Sequence, residues 1–347
     1  MEKVRRLTIT DVAAAAGVSK STASRALSGN GYAAPEVRDR VFRAAQEIGY
    51  LPDINARNLR QGSRRDVGVV ISDLRDPFYA ELASGIESGL RQADYHMVLV
   101  NDCRDEDEEL GAALTFASMR VPGAIVTPRS PKVVRELLRH GVRVVQADRL
   151  MKGIEADSVV GANQKGGRLA TAHLLEAGHR RIAMLIDEAK WTTGAGRLAG
   201  YRAAHKAAGV PVDDALITFT NSDAGAAAAT LGALLVKHPD VTAILAVNNL
   251  IAQGCVEELQ RREISIPDRI SLVCYDDVAW MSMVRPALTT VDQHAEEMGR
   301  RSAQLLISRL DENSSDRPIR VSVEPTLVVR DSVAPVKIGH RRDNKVR

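Results

Sequence analysis

Between residues 67 and 275 the chain carries eight short runs, nearly all aliphatic: "VGVVIS" (67–72), "HMVLVN" (96–101), "GAIVTP" (123–128), "VRVVQA" (142–147), "RIAMLI" (181–186), "ALITF" (215–219), "AILAV" (243–247) and "ISLVCY" (270–275). Helical stretches separate most of them. A strand that is apolar on both faces must be covered on both faces. Such runs alternating with amphipathic helices therefore specify parallel α/β sheets, here in two doubly wound halves. No run approaches the roughly 18 residues that a membrane-spanning helix needs. At 347 residues with 45% hydrophobic content, the chain is long enough for two or three domains with cores of their own.

Sheets of this kind hold ligands beyond the carboxyl ends of their strands. The residues that follow each run are therefore the candidates for chemistry. Phe78 and Tyr79 follow the first run, Asp148 and Arg149 the fourth, and Trp191, Thr193 and Arg197 lie in "WTTGAGRLAGY" after the fifth. Ser222 follows the sixth, Asn248 the seventh and Asp276 the eighth, and Gln293 ends "TTVDQ". Aromatic faces that stack on a sugar ring, surrounded by carboxylates, guanidinium groups and amides that bridge neighbouring hydroxyls, form a polyol site. A single strand-end Asp or Asn is as readily a cap on the next helix, and Phe78 and Tyr79 are as readily core. It is the whole set at matching places that argues for a ligand. Asp148, Arg149, Arg197 and Asp276 come from both halves, so these charges are expected to be satisfied by sugar hydroxyls.

The first 65 residues differ in kind. They hold 12 Lys and Arg against 6 Asp and Glu, a net +6, leaving 35 against 38 in the remainder, a net −3. A basic head on a mildly acidic body suits contact with a polyanion. In "TITDVAAAAGVSKSTASRALSG", Thr8 caps a helix with Ile9, Val12, Ala13 and Ala16 on one side, and Gly17 supplies the turn that ends it. Ser19 caps a second helix with Ala23, Ala26 and Leu27 inward and Lys20, Ser21, Ser24, Arg25 and Ser28 outward. A third, "PEVRDRVFRAAQEIG", has Pro35 at its first position and Gly49 beyond its end. Two short helices joined by a glycine turn, the second polar and basic near its start, form a helix-turn-helix able to enter a major groove.

In these features the chain resembles the lactose-repressor-type (LacI family) transcription regulators. The family's opening pattern T-I-x-D-V-A-x-x-A-G-V-S-x-x-T-V-S-R-x-L is matched from Thr8 to Leu27, with Ala23 at the usual valine. Its Y-x-P-N-x-x-A-R-x-L segment is matched by Tyr50, Pro52, Ala56, Arg57 and Leu59, with Asp53 at the usual asparagine or serine. The resemblance runs to about Ser332. It implies an N-terminal three-helix helix-turn-helix headpiece (1–52), a hinge helix and linker (53–65), and an α/β periplasmic-binding-protein-like clamshell of two doubly wound parallel-sheet subdomains. One subdomain takes 66–162 plus 293–324, the other 163–292 plus 325–332, and 333–347 is left as a disordered tail. On operator DNA, Lys20, Ser21 and Arg25 would reach base edges, with Ser24 beside them, while Thr8, Ser19, Thr22 and Asn30 touch phosphates. Asn55, Ala56 and Arg57 of the hinge would join them. Leu59, whose one apolar neighbour at helical spacing is Ala56, would wedge into a minor-groove step once the hinge folds on DNA. Two wedges need two hinges, which implies a homodimer on a pseudo-palindromic double-stranded operator. The polyol residues match the pocket of ribose-type relatives, implying a monosaccharide or cyclitol effector. A purine effector is the alternative within the family. Trp191 stands where purine-type relatives use a basic residue and Ser222 where they stack an aromatic, which disfavours purines. Asn249 replaces the usual aspartate of N-D-x-x-A-x-G.

Other classes find less support. "GAGRLAG" looks like a dinucleotide fingerprint, but seven residues, Asp187 to Thr193, separate it from its strand. Cys103, Cys255 and Cys274 are scattered, and no histidine lies near them at ligand spacing, so neither disulfide nor zinc is expected. "DCRDEDEEL" reads as a solvated loop whose acids favour the next helix start. No nucleophile sits in a strand-turn-helix elbow, so an enzyme is not expected, and no cofactor is implied. "MEKVRRLTIT" has a basic start without an apolar signal core. The expectation is a cytoplasmic, DNA-binding, non-membrane regulator rather than an exported transport protein or a sugar-active enzyme.

Overall fold

The computed structural model describes residues 7–28, 31–50, 65–187, 191–310 and 317–336. It divides into two units, Met1–Arg64 and Arg65–Arg347. The smaller unit is built on three helices: α1 (Ile9–Ala15), α2 (Lys20–Ser28) and α3 (Pro35–Glu47). Thr8 anchors α1 through its amide and hydroxyl, both donating to the Asp11 carboxylate at 2.7 Å. Gly17 then turns the chain at φ +63, and Ser19 Oγ caps α2 by accepting the Thr22 N–H at 3.1 Å. The core is small: Val12, Ala13, Ala16, Ala23, Ala26, Val41, Ala44 and Ala45. Alanines at the contacts allow the short helices to pack closely. The expected hinge, with Asn55, Ala56, Arg57 and Leu59, lies outside the described residues, as does Asn30.

The larger unit holds two lobes with the same winding. In the first, β1 (Asp66–Ile71), α4 (Pro77–Gln92), β2 (His96–Asn101), α5 (Glu106–Met119), β3 (Gly123–Val126), α6 (Pro131–Arg139), β4 (Arg143–Ala147) and β5 (Asp157–Gly161) follow in order. The chain then crosses over into α7 (Asn163–Glu176), β6 (Ile182–Ile186), α8 (Thr192–Ala207), β7 (Ile217–Phe219), α9 (Ala224–Lys237), β8 (Ala243–Ala246), α10 (Asn249–Arg261), β9 (Ser271–Tyr275), α11 (Trp280–Met283) and β10 (Thr289–Asp292). It returns through α12 (Ala295–Leu310) and β11 (Arg320–Val323) to the first lobe, and ends its last crossing at β12 (Thr326–Val328) in the second. The sheet orders are β11-β5-β4-β3-β1-β2 and β12-β10-β9-β8-β6-β7, parallel throughout except for the antiparallel β10/β12 pair.

Each sheet is covered on both faces, as its apolar runs require. In the first lobe one core layer gathers Val69, Ile71, Leu82, Ile86 and Leu306, and the other Val70, Ala113, Phe116, Val134 and Leu137. In the second a single large cluster surrounds Met184, Ile244 and Val273. Close helix contact is set by glycine: a Cβ on Gly167 of α7 would lie 2.3 Å from the Arg197 carbonyl oxygen of α8, and one on Gly200 would lie 2.2 Å from the Gln164 oxygen. This contact fixes the height of Arg197 above the second sheet.

Four strands fall outside the aliphatic runs. β5 begins with Asp157 and Ser158, buried because Arg309 donates to the Asp157 carboxylate twice at 2.8 Å. β10 starts on two buried threonines, and β11 and β12 are short sheet edges with partly exposed faces. The expected disordered tail also begins too early. Val333 packs on the second core, His179 Nε2 lies 3.1 Å from the Ala334 oxygen, and the Val336 amide donates to the Ala177 carbonyl at 3.0 Å. Residues 337–347 lie outside the described part.

Candidate functional site

In each lobe the winding reverses once, between β1 and β3 in the first sheet and between β6 and β8 in the second. At such a switch point the connections leave to opposite faces and open a crevice at the strand carboxyl ends. The two crevices face one another across a cavity of about 220 Å³. All eleven candidate effector residues line it: Phe78, Tyr79, Asp148, Arg149, Trp191, Thr193, Arg197, Ser222, Asn248, Asp276 and Gln293.

Some strand-end residues cap a helix or pack in the core and line the cavity as well. Asn248 caps α10 by accepting the Ile251 N–H at 2.8 Å, and its amide nitrogen also donates to Ser222 Oγ at 3.0 Å inside the cavity. Phe78 and Tyr79 are core residues that also form wall, packed edge to face at 5.2 Å. Asp148 caps no helix, and Asp276 accepts the first N–H of α10 rather than capping the helix that follows it. They occupy equivalent places after β4 and β9 and share a left-handed backbone, φ 64 and 66, a conformation that costs free energy in a non-glycine residue and turns the side chain back over the strand end. Burial raises the Asp148 pKa, against the pull of Arg149 and Arg197.

The charged groups are satisfied more fully by protein than the sequence suggested. Arg197 donates to Asn163 Oδ1 at 2.8 Å, to Gln293 Oε1 at 3.0 Å and to the Val247 carbonyl, and lies 4.3 Å above the Tyr275 ring. Asp276 accepts from Gln293 Nε2 at 2.6 Å and from the Asn249 amide and side chain at 3.0 and 3.1 Å. Arg149 donates to Ser72 Oγ at 3.0 Å and to the Tyr79 hydroxyl, with Asp148 3.7 Å away. The expectation that these charges depend on sugar hydroxyls is therefore corrected. Strand-end carboxylates and guanidinium groups first hold one another and the loops in place.

Sequence reasoning passed over Asp76, Arg104, Arg129, Asp187, Thr220, Asn221 and Asp223, which also line the cavity. The signal was available, because Arg104 follows β2, Arg129 follows β3, Asp187 follows β6 and the group 220–223 follows β7. Asp76 caps α4 by accepting the Phe78 N–H at 3.1 Å, and burial together with the charge of Asp276 raises its pKa to about 6. Asn249 joins the lobes: its Nδ2 donates to Asp76 Oδ1 at 2.8 Å and to Asp276 Oδ2 at 3.1 Å. The Leu150 N–H reaches Thr192 Oγ1 at 3.2 Å, and Arg104 reaches the Ser222 carbonyl, so among the described residues these two contacts join that of Asn249 across the cleft.

In the smaller unit, Thr8, Ser19, Lys20, Ser21 and Arg25 are exposed and Thr22 and Ser24 half-buried, all on or just before the first two helices. The Ser19 hydroxyl sits 2.9 Å from that of Ser21 and 2.8 Å from that of Thr22. Tyr32, on the loop after α2, is 85% exposed.

Fold and site define a class: a helix-turn-helix transcriptional regulator whose body is a two-lobed, ligand-binding clamshell. The family described as "Bacterial regulatory proteins, lacI family" matches residues 8–53, and "Periplasmic binding protein-like domain" matches residues 171–333. The HTH-type transcriptional regulator CelR of Thermobifida fusca is 33% identical over 343 residues, covering 96% of this chain and 100% of that protein. A solved CelR–cellobiose complex aligns at 31% identity and a TM-score of 0.73 over 94% of this chain and 100% of its own. The lac repressor dimer bound to operator and the anti-inducer ONPF shares the fold, with a TM-score of 0.84 over 95% and 100% of the two chains at 23% identity. The chain belongs to the lacI family of bacterial regulatory proteins.

Proposed function

We propose that the chain is a cytoplasmic repressor that binds a pseudo-palindromic operator as a homodimer and changes its DNA affinity when a small polyol, a monosaccharide or cyclitol, occupies the cleft. What carries the reading is that eleven residues chosen as polyol ligands from strand-end positions converge on one cavity between the lobes. Its volume of about 220 Å³ lies below the roughly 300–1,000 Å³ of drug-sized sites, which favours a single sugar ring. Four side chains of α2 and its cap, Ser19, Lys20, Ser21 and Arg25, supply the polar and basic surface that a major groove accepts. Coupling follows from linkage: a ligand that contacts both lobes favours one interlobe angle, and whatever that angle does to DNA binding the DNA must do in return to ligand affinity. A thermal-shift screen of pentoses, hexoses and inositols identifies the ligand. Fluorescence anisotropy on operator DNA at fixed salt then measures the coupling. The reading fails if no polyol raises the melting temperature, or if the best one leaves operator affinity unchanged.

A further inference from the structure

We propose that the effector is an acidic sugar, a monosaccharide bearing a carboxylate or phosphate group that Arg129 holds; this rests on the polyol reading above. Arg129 follows β3 at the switch point of the first lobe, and its backbone is fixed. The buried carboxylate of Glu109 accepts the N–H groups of Arg129 and Ser130 at 2.7 and 3.2 Å, and Ser130 in turn caps α6 by accepting the Lys132 N–H at 3.1 Å. Its guanidinium lines the cavity 4.9 Å from the centre of the Trp191 ring, and that of Arg149 lies 4.3 Å from the same ring.

The other cleft guanidinium groups have partners. Arg104 lies 3.4 Å from Asp73 and 3.8 Å from Asp76, Arg149 has Asp148, and Arg197 has Asn163 and Gln293. Arg129 makes no ion pair among the described residues, and its Nε is buried without a hydrogen-bond partner. Through space, Asp102 acts on both Arg129 and Arg149, Asp187 on Arg149 and Glu109 on Arg129, and none of the three forms an ion pair with Arg129 among the described residues. Burial, then the charge of Arg149, lowers the Arg129 pKa, the mark of a cation held beside a like charge in a desolvated place. Hydroxyls offer such a group only dipoles, whereas an anion offers opposite charge and a planar or tetrahedral set of acceptors. On the second lobe, Asp187 Oδ1 is a buried acceptor without a partner. That atom suits a hydroxyl. The two unmatched atoms thus ask for one molecule, anionic at one end and hydroxylated at the other.

Calorimetric titration of the full chain with matched sets decides it: ribose, ribonate and ribose 5-phosphate; glucose, glucuronate, gluconate and glucose 6-phosphate. At least one acid should bind tighter than its neutral parent by on the order of tenfold to a hundredfold. Arg129→Gln should bring that acid down to the level of the neutral parent, Arg129→Lys should restore part of the preference, and neither should lower the ligand-free melting temperature. Preference for carboxylates over phosphates, or the reverse, identifies the source of the anion. Neutral sugars that bind as tightly as their acids overturn the inference and leave the polyol reading standing. An Arg129→Gln variant that weakens acid and parent equally overturns it as well. If no member of either set binds, the inference falls, and the thermal-shift screen of the remaining sugars and inositols decides whether the polyol reading stands.

Discussion

Exchanging Asn249 for aspartate tests whether the contact between the lobes is electrostatic in origin. The amide Nδ2 lies 2.8 Å from Asp76 Oδ1 and 3.1 Å from Asp276 Oδ2, so it supplies a donor to each of two buried carboxylates on opposite lobes. Asn249→Asp removes both donors and places a third carboxylate within about 3 Å of the other two. Two unit charges 4 Å apart repel by about 4 kcal/mol at an effective dielectric constant near 20. Protonation is the cheaper escape. Asp76 titrates at about 6, so holding it neutral at pH 8 costs about 3 kcal/mol, and at pH 6 less than 1 kcal/mol. The closed cleft of the variant should therefore lose roughly 2–4 kcal/mol at pH 8 and regain most of it by pH 6. The sign follows because the closed form binds the extra proton. Trp191 in the cleft reports closure by fluorescence in a Trp280→Phe background, with operator affinity as a second readout. Asp76→Asn combined with Asn249→Asp removes one of the two facing carboxylates, and asparagine at 76 still caps α4. Because Asp276 still faces the new carboxylate, that double variant should recover part of the wild-type emission at pH 8 and lose most of the pH dependence. An Asn249→Asp protein with unchanged Trp191 emission at pH 8, or a double variant no better than the single, refutes the argument.

Four shorter predictions accompany it. Arg25→Ala should cost on the order of 1–3 kcal/mol of operator affinity and relax preference at one base pair per half-site; an equal loss on every sequence, measured by competition anisotropy, would reassign it to phosphate contact. Gly167→Ala drives a methyl group against the Arg197 carbonyl and should destabilise the body by roughly 1–3 kcal/mol in urea, whereas Gly111→Ala, with nothing within 4 Å, should be neutral or stabilising. Glu109, raised by burial to about 7, binds its proton more tightly folded than unfolded, so its contribution to stability falls as pH rises from about 4 to 7; Glu109→Gln should remove a slope of up to about 1.4 kcal/mol per pH unit in denaturation curves over that range. Arg197→Ala should lower both ligand affinity and the ligand-free melting temperature, while Asp187→Asn should lower ligand affinity alone, and equal melting losses in the two variants would contradict the division between structural and ligand-facing charges.

The backbone plan was legible because its signals are local and repeated. Aliphatic runs mark strands that must be covered on both faces, and Gly17, Ser19 and Pro35 set the limits of the headpiece helices through backbone conformation and capping alone. Strands such as β5 escaped because their burial depends on partners far away in sequence: the buried Asp157 carboxylate is satisfied by Arg309, 152 residues on, and by the Ile319 N–H. No periodicity around residue 157 encodes that. The same distinction explains the site. That strand ends converge follows from topology, so Phe78, Asp148 or Asp276 can be chosen from position.

Which strand-end charges remain available to a ligand depends on how many donors and acceptors the neighbours use, and that count is three-dimensional. Arg197 and Arg129 look alike in the sequence, each an arginine in the connection that follows an apolar run. In the fold, Arg197 has given three of its nitrogens to Asn163, Gln293 and the Val247 carbonyl, while Arg129 Nε has none. A ligand shifts the two-lobed body only through interactions that differ between its conformations. Groups already saturated within one lobe contribute to that difference weakly, because their bonds persist at either angle. Effector choice should therefore rest on the residues with unused capacity, Arg129 on one lobe and Asp187 on the other, and the saturated charges around them serve to keep those two in place.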